Sequence, residues 1–119
     1  MTTGVSFKAL SQPTRNEAVQ FCLETWKDAY DQGRAEGKSD FSASQAAHQA
    51  YREAMPDLIS FHDIQDFIAC IGRGILIKAI DKSEASRLLS AARIASQSFA
   101  LAEKAVLKAV ARLQSGAAA

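Results

Sequence analysis

The chain has 119 residues, 48% of them hydrophobic and 23% charged, with a net charge of +1. That length fits one domain whose core needs no metal or disulfide staple, and the composition excludes a wholly disordered chain. No basic segment followed by an apolar run opens the sequence, and no run of about 18 apolar residues occurs, so a cytoplasmic protein without leader or membrane span is expected.

Residues 1–10 lack periodicity and read as a flexible tail, residues 11–115 as one helical domain, and residues 116–119 as a frayed end. The first helix is expected to open at Thr14, with Glu17 completing a capping box that satisfies free backbone donors of the first turn. Val19, Cys22, Leu23, Trp26, Ala29 and Tyr30 then fall on one face. Gly33 and Gly37 are expected to end it, because glycine admits the left-handed stop conformation.

The second helix is expected to open at Ser42, with Gln45 in the capping-box position. Its face is almost all alanine (Ala43, Ala46, Ala47, Ala50, Ala54) with Tyr51, which permits close approach of a neighbour. Pro56 ends it, since proline disfavours helical geometry at Met55.

A third helix opens at Ser60, with Asp63 three residues on. Ile64, Phe67, Ile68, Ile71 and Ile75, widened by Cys70, Leu76 and Ile80, put apolar groups on more than one face and predict the central, most buried helix. Gly72 and Gly74 lie inside it, each costing about 1 kcal/mol relative to alanine. Close packing or a kink is expected to offset that cost.

The fourth helix opens at Asp81, with Glu84 in the capping box. Ala85, Leu88, Ala92, Ala95, Phe99, Ala102, Val106, Ala109 and Leu113 repeat at spacings of three and four, the strongest pattern in the chain. A continuous helix to Leu113 would be roughly 50 Å long at 1.5 Å per residue. Its distal end must project, bend near Ser96-Gln97-Ser98, or pack on another subunit. The fold class expected is therefore all-α, a mostly antiparallel four-helix bundle with a long C-terminal helix.

Residues able to carry chemistry are sparse. Cys22, Cys70, His48 and His62 show no local metal-ligand spacing, so no metal or other cofactor is expected. The two cysteines read as reduced core thiols, His48 as a residue on the flank of helix two and His62 as solvent-facing. The carboxylates of Asp28 and Asp31, and of Asp63 and Asp66, sit among polar residues near helix ends and read as a solvated face rather than a general acid–base pair. Gly72-Arg73-Gly74 lies inside a helix and meets no phosphate-loop pattern. These readings lead to the expectation of a protein that is not an enzyme.

Charge is unevenly spread. Residues 1–69 carry 6 Lys/Arg against 10 Asp/Glu, and residues 70–119 carry 8 against 3. Such a split marks either a basic partner-binding face or two halves that attract each other within one bundle. Arg73, Lys78, Lys82, Arg87 and Arg93 gather around the junction of helices three and four, a candidate nucleic-acid surface. No aromatic residues interleave with them, and the start of helix four offers Ser83-Glu84-Ala85-Ser86 rather than basic side chains.

The heptad stripe of helix four has only Glu103 and Arg112 as charged flanking positions, which argues for a broad helix interface over a free two-stranded coiled coil. Ile94, Leu101, Leu107 and Val110 are the candidate protein-interface residues. The favoured function is an interaction or assembly module, a homodimer or a small adaptor or inhibitor from a bacterial or phage-like element. The alternative is a small nucleic-acid-binding regulator.

Phe67-Ile68-Ala69-Cys70-Ile71-Gly72-x-Gly74, continuing through Ile80-Asp81 and Leu88-Leu89-x-Ala91-Ala92, resembles a group of short bacterial all-helical proteins of no assigned activity. Ala50-Tyr51-Arg52-Glu53-Ala54-Met55-Pro56 fits the same resemblance. It covers about residues 43–99. It implies a helical fold and a bacterial cytoplasmic setting, and brings no ligand or site residue with it.

Overall fold

The computed structural model describes residues 16–118. Four helices follow one another: α1 (Glu17–Ala35), α2 (Asp40–Glu53), α3 (Phe61–Leu76) and α4 (Lys82–Ala118). Among the described residues there is no strand. The expected all-α fold with a long final helix is what the chain adopts.

Each helix starts where a short polar side chain takes up an orphan amide. Asn16 Oδ1 accepts from Val19 N, Ser60 Oγ from Asp63 N, and Asp81 Oδ1 from Glu84 N. The caps at Ser60 and Asp81 are the expected ones. Helix α1 is instead capped by Asn16, and Thr14 lies outside the described residues. Helix α2 opens three residues earlier than expected, because Ser39 Oγ reaches the amide of Ser42. Ser42 is thus a receiver of the cap rather than its source.

Helices α1 and α3 end the same way. Lys38 N bonds Gly33 O and Gly37 N bonds Arg34 O, while Ala79 N bonds Gly74 O and Lys78 N bonds Ile75 O. Both are Schellman closures with a left-handed residue just past the helix. Gly37 supplies it at φ 85° in the first case, and Lys78 at φ 66° in the second. Gly33 is therefore not a terminator: it sits inside α1, and a Cβ there would lie 3.1 Å from Ala43 Cβ of α2. Ile80, expected within helix three, lies beyond that helix's end at Leu76.

Two antiparallel hairpins make the bundle. Trp26 pairs with His48 and Gly33 with Ala43 along α1 and α2. Phe61 meets Phe99, at 5.7 Å between ring centroids, along α3 and α4. The hairpins join through α3, which touches α1 at Cys22–Cys70 and α2 at Tyr51. Trp26, Tyr51, Ile71, Ile77 and Ile80 are the largest apolar side chains sealed in the core. Helix α3 is central, as expected, but not apolar on all sides to a purpose: Ile68, Ile75 and Leu76 face outward. The Arg52–Glu84 ion pair at 3.7 Å links the halves with its cation on the acidic side, opposite to the polarity that the charge split implies.

The two glycines inside α3 differ. A Cβ at Gly74 would stand 2.6 Å from Ile80 Cδ1 and 3.0 Å from Tyr51 Cε1, whereas one at Gly72 would meet nothing within 4 Å. Close packing thus accounts for Gly74 alone. Gly72→Ala is expected to stabilise the fold by about 0.5–1 kcal/mol through helix propensity and a less flexible unfolded chain. Gly74→Ala is expected to destabilise it by about 1–3 kcal/mol through overpacking. Urea melts of the two variants, read by circular dichroism, check the opposite signs.

Candidate functional site

Three features draw attention: a polar cluster inside the α1–α2 hairpin, a thiol pair between α1 and α3, and the distal half of α4.

The polar cluster is built on Trp26, which the heptad-like face of α1 turns into the core. Its indole Nε1–H donates to His48 Nδ1 at 2.9 Å. Its ring stacks on Tyr30 at 5.2 Å, and the Tyr30 hydroxyl donates to Asp40 Oδ1. His48 is therefore buried rather than placed on the flank of its helix. Accepting at Nδ1 requires a neutral imidazole with its proton on Nε2. Burial, and then the nearby Arg52 guanidinium, hold His48 below the ordinary histidine pKa. The Asp40 carboxylate, together with burial, holds the Tyr30 phenol above its usual value. His48 bonds Trp26, Trp26 stacks on Tyr30 and Tyr30 bonds Asp40 Oδ1 within one hairpin, while Asp40 Oδ2 is buried without a hydrogen-bond partner among the described residues. A shallow groove on the surface lies elsewhere, lined by Ser86, Leu89, Ser90 and Arg93. The cluster ties α1 to α2.

Cys22 and Cys70, 48 residues apart in sequence, meet at 3.7 Å between sulfurs and are both buried and free. Hydrogen bonding from Cys70 lowers the Cys22 thiol pKa, and the same contact with burial raises that of Cys70. Core thiols were expected, but their pairing was not visible from spacing. Behind them the Tyr51 hydroxyl donates to Cys70 O at 2.6 Å. His62 is solvent-facing, as expected, and sits 3.3 Å from Asp66. Asp66 is half-buried and accepts from Asn16 Nδ2 at 2.9 Å, so it is not a simple solvated carboxylate, whereas Asp28 and Asp31 are exposed. Among the described residues no group of three or more metal-ligating side chains occurs, and no helix is long and apolar enough to cross a membrane.

Helix α4 is the third feature. Its 37 residues span about 55 Å, against about 24 Å for the 16 residues of α3. Ala85 and Ala92 are buried and Leu88, Ala95 and Phe99 half-buried against the bundle. From Ala100 to Gly116 every residue is exposed. The helix runs unbroken through Ser96-Gln97-Ser98 and projects, and the described residues measure 74 × 25 × 22 Å. The stripe that packs inside the bundle continues along this arm as Ala102, Val106 and Leu113, with Val110 about 40° from Val106 and so nearer its line than the expected Ala109 at about 60°; Val106 is 61% and Leu113 75% exposed.

The four candidate interface residues are all on the surface, with Leu101 68% and Leu107 63% exposed. They do not share a face. At 3.6 residues per turn, Val110 continues the stripe and Leu107 flanks it, while Ile94 and Leu101 lie about 140° around the helix from Phe99 and Val106. The candidate nucleic-acid residues divide as well. Lys82 and Arg93, joined by Lys104, recur every eleven residues and so line up about 16 Å apart on the side away from the stripe. Arg87 falls about 120° from Arg93, Lys78 sits in the reversal after α3, and Arg73 lies in the last turn of α3.

Two outcomes test this description. The unfolded chain protonates His48 below an ordinary pKa of about 6.5, and the folded one resists until lower pH, so the unfolded state binds more protons in between. Stability is expected to be level above about pH 6.5 and to fall as pH drops below it, by loss of the Trp26–His48 bond. Thermal melts across that range read the slope, and His48→Gln, which accepts without titrating, flattens it. Ellman's reagent should leave both thiols untouched in the folded protein and label both in urea.

Comparison of the chain with protein-family models, curated proteins and solved structures finds no match, and nothing in them bears on the resemblance to short bacterial helical proteins.

Proposed function

We propose that the protein is an assembly module that self-associates through the α4 arm. The observation that carries this reading is the continuation of one apolar stripe past the last contact with the bundle. Inside the bundle the stripe is covered; on the arm the same spacing leaves Val106, Val110 and Leu113 in water, with Leu107 beside them. Contiguous apolar surface of this kind marks an interaction site more often than an idle face. The interface consists of Val106, Leu107, Val110 and Leu113, and leaves Ile94 and Leu101 outside it.

The strength follows from the area. Burying each such side chain is worth about 1.5 kcal/mol at the lower end. Two arms supply eight of them against an association cost of about 4–15 kcal/mol. At that lower-end value and the smallest association cost the dissociation constant is about 1 µM, and the association is concentration-dependent.

A second reading, nucleic-acid binding, has one observation in its favour, the line of Lys82, Arg93 and Lys104. Three cations so far apart make a weak electrostatic footprint, and affinity resting on them falls steeply with salt.

Light scattering through the micromolar range tests the first reading. The intact chain is expected to rise in mass with concentration, and salt is expected to leave that rise in place. Val106→Glu with Leu113→Glu should stay helical and monomeric, while Leu101→Glu should associate like the parent. A mass that stays at one chain throughout overturns the proposal. Loss of association in Leu101→Glu alone would move the interface to the other face.

A further inference from the structure

The geometry points to a pairing mode: two copies join as an antiparallel, two-fold pair of arms centred on Val106, with Leu113 of each copy seated at the Phe61–Phe99 pair of the other. This rests on the self-association reading and adds which way the arms run and where they end.

Direction follows from what already occupies the stripe. Up to Phe99 the stripe side of α4 is covered by its own bundle, through Ala85, Leu88, Ala92, Ala95 and Phe99. Parallel arms facing each other along the stripe would bring both bundles to the same level on the same side, where each fills the space that the other needs. Antiparallel arms put the bundles at opposite ends. Each arm then lies along the other's stripe as a continuation of the lane that α3 occupies, beginning where α3 begins at Phe61.

Register follows from the spacing. Ala102 and Val110 stand four residues either side of Val106, and Phe99 and Leu113 stand seven. The apolar positions Phe99, Ala102, Val106, Val110 and Leu113 are symmetric in spacing about Val106, as an isologous contact requires, while Ala109 mirrors Glu103. In this register Val106 meets Val106, the small Ala102 meets the larger Val110, and Leu113 meets Phe99. Phe99 already packs on Phe61 at 5.7 Å, and Phe61 is itself 43% exposed, so the arriving Leu113 has an apolar seat. The flank carrying Leu107 meets itself near the two-fold axis, which brings that side chain into the contact.

Charge permits the approach. Lys104 and Lys108 each lie about 160° and Arg112 about 120° from Val106 around the helix. They stay in solvent on the far side of both arms. Glu103 is the charged residue nearest the stripe, and its counterpart across the pair is Ala109, so no like charges are forced together.

The test uses the full chain carrying Ala102→Cys or Val110→Cys, each at an exposed arm position. The native thiols are buried and do not compete. With one chain lengthened by a tag, the two variants are mixed and lightly oxidised. The mixed Ala102→Cys/Val110→Cys disulfide is expected to form at least about tenfold faster than either self-disulfide, because pairing raises the local thiol concentration only for that combination. Val106→Cys is expected to link to itself. Self-linking of Ala102→Cys as fast as the mixed product, with a dimer seen by light scattering, overturns the antiparallel mode and leaves the arm dimer standing. A parent chain that is monomeric throughout, with no mixed product, overturns both.

Discussion

Between α3 and α4 the chain reverses within five residues, and that reversal sets the course of everything after it. Lys78 turns left-handed, the amides of Lys78 and Ala79 return to Ile75 and Gly74, and Ile77, Ala79 and Ile80 bury their side chains around it. Gly74 leaves room for Ile80 and for the ring of Tyr51 in the same place. Arg52 Nη1 clasps Ala79 O at 2.7 Å, and Asp81 caps the helix that follows. A left-handed lysine costs about 1–2 kcal/mol, and three buried apolar side chains outweigh it. Because α4 is a stiff rod of about 55 Å, a small tilt at this root would swing its far end by many ångströms. The packing of these side chains therefore decides where the arm points.

The buried polar contacts select one arrangement from the many that an apolar core would tolerate. Trp26 Nε1–H to His48 and Tyr51 Oη–H to Cys70 O each consume a donor that no other group in the hairpins is placed to satisfy. Breaking either leaves a buried polar group unpaired, at about 1–3 kcal/mol. Sliding α1 along α2 by one turn would break the first bond and force Gly33 away from Ala43. Alanine-rich faces permit close approach in several registers; the tryptophan–histidine bond picks the register.

The arm links this economy to function. A bundle whose α3 spans about 24 Å can cover only the first half of α4. The remainder carries its apolar stripe into solvent, balanced on the other side by Lys104, Lys108 and Arg112. That two-sidedness is the feature that the proposed association through the arm would use. The cost of exposure is what an association through the arm would relieve. A module of this build would respond to its own concentration, because its arms would associate reversibly.

Helix number, class and most of the apolar faces were legible from local rules. Period-3.6 patterning fixed four helices, Ser60 and Asp81 announced two starts, and the unbroken stripe from Ala85 to Leu113 announced a helix too long for its partners. Those features are local, each decided within a few turns of chain. The tertiary structure alone decided the rest. Lys78 as a helix stop carries no sequence signal, because the strain is repaid by side chains that become neighbours only after folding. The Cys22–Cys70 contact, the burial of His48 by Trp26, and the crowding at Gly74 but not at Gly72 all join residues distant in sequence. Spacing along one helix says which side chains share a face. It does not say what stands opposite, and for α4 that distinction separates a stripe covered by the bundle from one left exposed on the arm.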